Sequence, residues 1–133
     1  MGYILGLRSR QNLAGVHPDL VRVVERAIRV TPLDFTVTEG VRSEARQREL
    51  VAAGASRTMK SRHLKASNGY GHAVDLAALV AGSVRWDWPL YRTLNTAMQQ
   101  AAGELGIPVE WGGSWATFKD GPHWQLPWKQ YPG

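Results

Sequence analysis

The sequence predicts an α+β fold, a small antiparallel sheet with about three helices. Two observations carry the prediction. Helical and strand periodicities both occur along the chain, yet the strands are not regularly separated by helices as a doubly wound parallel sheet requires. The 133 residues, 44% hydrophobic and 20% charged, have the composition of one ordinary globular domain spanning 1–133.

Residues 8–16 are polar and read as turn-like. His17-Pro18-Asp19 then starts a helix, with proline at the first helical position and an acid in the first turn. Leu20, Val23, Val24, Ala27 and Ile28 recur at helical spacing, so the helix covers 18–30 and ends at Pro32. Residues 35–41 alternate apolar and polar, the signature of a strand. Ser43 can cap a second helix that runs to about Ala53 and stops at Gly54. Residues 55–70 are rich in Ser, Lys, Gly and Asn and read as loop. A short strand over 72–79 leads into a loop or hairpin over 80–89. The third helix, 89–105, gathers Leu90, Leu94, Ala97, Met98, Ala101 and Leu105 on one side, with Gly106 at its end. Residues 107–111 suit a strand, 112–115 a turn, and 122–128 a last strand kept short by Pro127 and Pro132. The tally is about three helices and four short strands.

With no cysteine in the chain, disulfides and thiolate metal sites are excluded. Any metal must sit on His, Asp or Glu. The net charge of +5 and pI near 10.0 favour polyanionic partners in general, nucleic acid or an anionic bacterial envelope among them. The charges are scattered: Arg22, Arg26 and Arg29 fall at helical spacing, Arg42, Arg46 and Arg48 in part, which fits solvated helix faces better than a binding stripe. The start of the chain lacks a signal-peptide pattern, and no apolar run approaches the ~20 residues that cross a bilayer. Synthesis as a soluble protein in the cytoplasm is the expectation.

Four histidines are candidates for chemistry: His17, His63, His72 and His123. His17, beside Pro18 at a helix start, suits a structural or surface role. Residues 61–76 place His63 and Asp75 at the two ends of a glycine-containing loop, a donor pair that suits Zn²⁺. His72 also lies close. In a regular strand His72, Val74 and Leu76 share one face while Ala73 and Asp75 share the other, so His63 is the better partner for Asp75. Asp120 and His123 are separated by Gly121 and Pro122, a turn that can aim both side chains at one point. His123 would complete a two-histidine, one-carboxylate set with an open fourth position, and Asp120 would stand off as a proton acceptor. Spacing alone leaves ordinary surface and satisfied-core roles as competing readings of these residues.

These residues resemble a family. Ser61-x-His63, then Gly71-x-Ala73-x-Asp75, then Asp120 three positions before His123, are similar to the linked motifs of the D-alanyl-D-alanine and L-alanyl-D-glutamate zinc peptidases. The small phage endolysins that cut the L-Ala–D-Glu bond of peptidoglycan are the nearest in kind. Residues 39–43 with Gln47 match the family's arginine-bearing segment, and 109–115 match the stretch before the final motif. The similarity runs from about Gly15 to Trp128. It implies a hedgehog/DD-peptidase-like fold and zinc on His63, Asp75 and His123. It further implies Asp120 as catalytic acid/base, and Arg42 as the group that stabilises the substrate oxygen as it becomes an oxyanion. Ser61, Gln47, Trp111 and Trp124 are the expected substrate-binding residues. Zinc-activated water, with Asp120 relaying its proton to the leaving nitrogen, is the implied mechanism.

The resemblance also implies peptidoglycan as substrate, holin-dependent release from the host cytoplasm to the periplasm, and no nucleic acid partner. A monomer without a separate wall-binding domain is expected, an arrangement suited to a thin Gram-negative wall. A carboxypeptidase or dipeptidase of the same fold is the rival within the class, and a non-catalytic basic nucleic-acid-binding module the rival outside it. One departure stands out: the compact family form has two residues between the first histidine and the glycine, whereas 64–70 intervene in this chain. Chain length by itself favours a neutral insertion, because surface loops lengthen at small entropic cost. A mobile lid or a cation-sensitive element is the alternative.

Overall fold

The computed structural model describes residues 2–56 and 58–133. Among the described residues, four α-helices, α1 (Leu7–Leu13), α2 (Pro18–Val30), α3 (Glu44–Ala52) and α4 (Trp88–Leu105), accompany five short strands. The strands are β1 (Phe35–Glu39), β2 (Ala73–Val80), β3 (Ser83–Arg85), β4 (Glu110–Trp111) and β5 (His123–Gln125). All pairings between them are antiparallel, in the order β1-β2-β5-β4, and β3 folds back on the far half of β2. The α+β expectation holds, with one helix and one strand more than the periodicity suggested.

The extra helix is α1. Residues 8–16 carry no hydrophobic repeat, and this helix is fastened by polar groups instead. The Val37 N–H donates to Ser9 Oγ (2.9 Å), and Asn12 Nδ2 donates to Val37 O (2.8 Å). Both bonds satisfy backbone groups of β1, an edge strand. The extra strand, β3, completes a hairpin whose two-residue turn has Ala81 and Gly82 at φ 51° and 80°, the primed geometry that matches strand twist.

One sheet face is apolar. Val74, Leu76 and Ala78 of β2, with Phe35, Val37 and Trp124, share a core with Leu20, Val24 and Ile28 of α2 and Leu94 and Met98 of α4. Burying each larger side chain contributes roughly 1.5–3 kcal/mol. His17 Nδ1 accepts the Asp19 N–H as the cap of α2 (3.0 Å). Gly106, at φ 68°, ends α4 and returns the chain to the core at Ile107. The other sheet face carries the polar side chains. Register places Glu39, Asp75 and His123 in one row across β1, β2 and β5, and Gln125 beside Glu110 in the next. A bulge between Val37 and Glu39 sets that row, because the extra residue Thr38 brings Glu39 opposite Asp75.

Candidate metal centre and cleft

His63, Asp75 and His123 converge above the row. Asp75 and His123 are direct cross-strand neighbours, and His63 reaches over from the loop after α3. His63 Nε2 lies 3.1 Å from Asp75 Oδ1 and 3.1 Å from His123 Nδ1, and His123 Nδ1 lies 3.4 Å from Asp75 Oδ1. Donors about 2.0–2.1 Å from a tetrahedral ion stand roughly 3.3 Å from one another, so the triangle has the right edge.

The outer hydrogen bonds support the same reading. His63 Nδ1 lies 2.8 Å from Gly40 O, and His123 Nε2 lies 2.7 Å from Gln125 Oε1. Carbonyl oxygens only accept, so each outer nitrogen carries a hydrogen, which leaves each inner nitrogen as the one that could bind a metal ion. Two imidazole nitrogens and a carboxylate then face one another, a set that suits a positive charge at the centre. These three side chains could hold a metal ion. Burial works to raise the Asp75 carboxyl, but His63 and His123 outweigh it and hold the group far below the usual carboxylate range. Burial disfavours charge on His123, yet the Asp75 carboxylate pulls its pKa up.

The local backbone explains the aim of each group. The His63 N–H donates to Ser61 Oγ (3.2 Å), and the Arg42 N–H donates to His63 O (2.8 Å). A Cβ on Gly40 would come 1.9 Å from Asn12 O, so only glycine lets that carbonyl reach the His63 ring. Gly112 allows the Asp120 loop to close, its carbonyl accepting the Asp120 N–H (3.0 Å), where a Cβ would sit 2.5 Å from Asp120 O.

A cleft of about 570 Å³ opens over the donors, with Arg42, Asp120, Ser61 and Trp115 among its walls. Asp120 is half-buried, and burial pushes its carboxyl up against the pull of His123, His63 and Arg42, with the Asp75 charge adding to the rise. Arg42 is clamped: Nε donates to Glu39 Oε2 (3.1 Å), Nη2 to Glu39 Oε1 (2.5 Å) and Nη1 to Gln47 Oε1 (2.7 Å). One N–H on each terminal nitrogen lies outside these bonds, and Nη2 also stands 3.9 Å from Asp75 Oδ2.

Three expected substrate contacts are placed elsewhere. Trp124 is 0% exposed in the core, its indole N–H donating to Asn95 Oδ1 (3.0 Å). Trp111 stacks on Trp124 and donates to Gly121 O (2.7 Å), so both rings support the Asp120–His123 turn from beneath. Gln47 is also 0% exposed, and its Nε2 donates to Ser56 Oγ (2.8 Å) and Thr58 O (2.6 Å). It holds Arg42 and the following loop in place. The aromatic residues that line the cleft are Trp115, Phe118 and Trp128. Trp111 and Trp124, though next to the motifs in sequence, do not line the cleft, because alternate residues of a strand face opposite ways.

Four residues escaped the sequence reading as site residues. Glu39 clamps Arg42, Gln125 orients His123, and Glu110 accepts the Trp115 indole N–H (2.8 Å). The two-residue spacing of His123 and Gln125 was a legible signal for a shared face. Arg62, only 4% exposed, donates to Leu126 O (2.9 Å) and Tyr131 O (2.6 Å) and ties the His63 loop to the segment after β5. A buried arginine held by carbonyls has no sequence signature.

A peptidase is the class of protein that this fold and cleft define. Comparison with known proteins gives the family: residues 1–125 match the phage L-alanyl-D-glutamate peptidases, and the chain belongs to that family. It is 34% identical over 124 residues to the L-alanyl-D-glutamate peptidase of Escherichia phage T5, covering 90% of this chain and 87% of that one. It is 35% identical over 106 residues to the peptidoglycan L-alanyl-D-glutamate endopeptidase CwlK of Bacillus subtilis, covering 71% and 61%. The crystal structure of the Serratia marcescens L-Ala D-Glu endopeptidase ChiX superimposes with a TM-score of 0.88 at 54% identity, covering 96% of this chain and 92% of that one.

Proposed function

We propose that this chain is a zinc-dependent endopeptidase that hydrolyses the L-Ala–D-Glu bond of peptidoglycan stem peptides, with residues 1–133 acting as one catalytic domain. The observation that carries the zinc assignment is the donor triangle of His63, Asp75 and His123, with both outer imidazole nitrogens bound to carbonyl acceptors. The donor set contains nitrogen and oxygen only, and three protein ligands leave a position open, as in catalytic zinc sites. Bound there, zinc supplies a Lewis acid and lowers the pKa of water toward about 7.

The remaining chemistry belongs to the side chains. Asp120, raised by burial, takes a proton from the attacking water and returns it to the departing D-Glu nitrogen. Arg42, immobilised by Glu39 and Gln47, offers its spare N–H groups to the carbonyl oxygen as negative charge develops. Its rigid clamp matters because a preorganised donor needs no rearrangement during the reaction. Lysis of the host at the end of phage infection, passage from cytoplasm to wall through a holin, and action as a monomer complete the proposal. The peptidase of Escherichia phage T5 supports the first.

Metal analysis combined with the masses of digested peptidoglycan tests the assignment. New N-terminal D-Glu is the expected product, and released D-Ala would point to a carboxypeptidase instead. Asp120→Ala should keep zinc and lose roughly 10²–10⁴-fold in rate. His123→Ala should lose both. Full activity in either variant would overturn the catalytic role of Asp120 or the ligand role of His123.

A further inference from the structure

The lengthened loop over 64–70 builds something. Beyond the cleft lies a second hollow of about 400 Å³, walled by Leu64, Lys65, Ala66 and Ser67 of that loop. It adjoins the cleft, and Lys60, Ser61, Arg62 and Trp128 line both. The loop is internally bonded. The Ala66 N–H donates to Tyr70 O (2.8 Å), the Gly69 N–H to Ala66 O (2.9 Å), and the Tyr70 N–H to Asn68 Oδ1 (3.0 Å). Asn68 Nδ2 in turn lies 3.0 Å from Nε2 of His72, which is 1% exposed and anchors the loop to the fold. Opposite stands Trp128, 45% exposed, with the Arg62 guanidinium carbon 4.1 Å from its ring centroid. One ring face is therefore pinned.

The charged side chains of the hollow are all basic, and Gly133 completes its wall. Lys60 and Lys65 are both exposed on its wall, and among the described residues neither ammonium has a carboxylate partner. No Asp or Glu lines it. The two halves of a stem peptide differ in charge. Toward the glycan, the N-terminal side is an amide-linked, uncharged sugar acid. Beyond the scissile bond, D-Glu continues through its γ-carboxyl and leaves its α-carboxylate free, and the diamino acid and terminal D-Ala can add further carboxylates.

We propose that this second hollow is a carboxylate-binding subsite for the part of the stem peptide C-terminal to the scissile bond, with Lys60 and Lys65 as its cations. The subsite rests on the proposed endopeptidase function and fixes the direction in which substrate lies: glycan toward Trp115, carboxylates toward Trp128. It also gives the inserted residues a role in specificity.

Two synthetic muramyl peptides test it with the zinc-loaded enzyme, one with free stem carboxylates and one with those groups amidated. For the wild-type enzyme, kcat/KM should fall about tenfold on amidation, mostly through KM, and the preference should shrink with added salt. Lys60→Ala/Lys65→Ala should bring the free peptide down toward the amidated rate and lower the amidated rate by a clearly smaller factor. Lys60→Arg/Lys65→Arg should keep the preference, which separates charge from folding. Equal loss on both peptides in the alanine variant, or no loss on either, overturns the subsite. Wild-type cleavage of L-Ala–D-Glu without any carboxylate preference overturns the subsite alone. No cleavage of that bond in either peptide overturns the proposed function and the subsite with it.

Discussion

Gln125→Leu is the sharpest test of how the metal centre is held. Gln125 is buried, and its Oε1 takes the hydrogen of His123 Nε2 at 2.7 Å. Leucine has nearly the same volume, so the substitution removes an acceptor without opening a large cavity. Two things follow. The His123 ring loses the bond that fixes its tautomer and orientation, and its outer N–H is left unpaired in the interior. A hydrogen bond to a group that becomes partly charged on metal binding contributes about 1.5–3 kcal/mol, or roughly 10- to 100-fold in affinity. Removing the acceptor bound to the outer nitrogen of a metal-binding histidine costs a similar factor. Titration of the metal-free protein with zinc against a fluorescent chelator reads the affinity, and far-UV circular dichroism checks that the fold is kept. Gln125→Glu, which retains an acceptor, should bind at least as tightly as the natural protein. A leucine variant that binds zinc within about twofold of wild type would refute the argument that this bond prepares the site.

Further expectations concern the scaffold. Gly40→Ala should destabilise the protein by about 3 kcal/mol in urea melts and weaken zinc binding, because the new Cβ meets Asn12 O at 1.9 Å and displaces the carbonyl that orients His63. Zinc affinity equal to wild type in a folded variant would show that Gly40 O does not aim the ring. His72 is lowered from 6.5 to about 4 by burial, with Arg62 and His17 adding to the effect. A folded-state pKa below the unfolded one means that the unfolded chain binds the proton first. Stability should therefore fall as pH drops from 6.5 to about 4, by up to about 3 kcal/mol. His72→Gln, which keeps an acceptor for Asn68, should flatten that part of the profile, and an unchanged slope would place the acid sensitivity elsewhere.

Much of this protein was legible in its sequence. The helix over 18–30 announced itself through Pro18 and five apolar residues at one spacing, and Ser43 and Gly106 marked helix ends where the structure has them. Strand parity separated His72 from Asp75, and the structure seats His72 among aromatic rings, with His63 beside Asp75. Local periodicity and parity are properties of a few consecutive residues, so a chain read in order reveals them. The α1 helix was not legible, because its stability comes from Ser9 and Asn12 bonding a strand some 25 residues away.

The same limit applied to the site. Ser61, His63, Asp75, Asp120 and His123 lie in recognisable motifs, but nothing local predicts that Glu39 enters their row. That depends on a bulge of one residue in β1. Nothing local places Trp124 beneath the site rather than in it, since adjacent strand residues differ only in which face the sheet buries. The sequence by itself picked out the two histidines and the aspartate that converge, and the helices α2, α3 and α4. The tertiary structure decided which nitrogen of each histidine points inward, which tryptophans face the cleft, and that the long loop has a hollow behind it. Those outcomes are set by contacts between distant segments, and only folding brings such segments together.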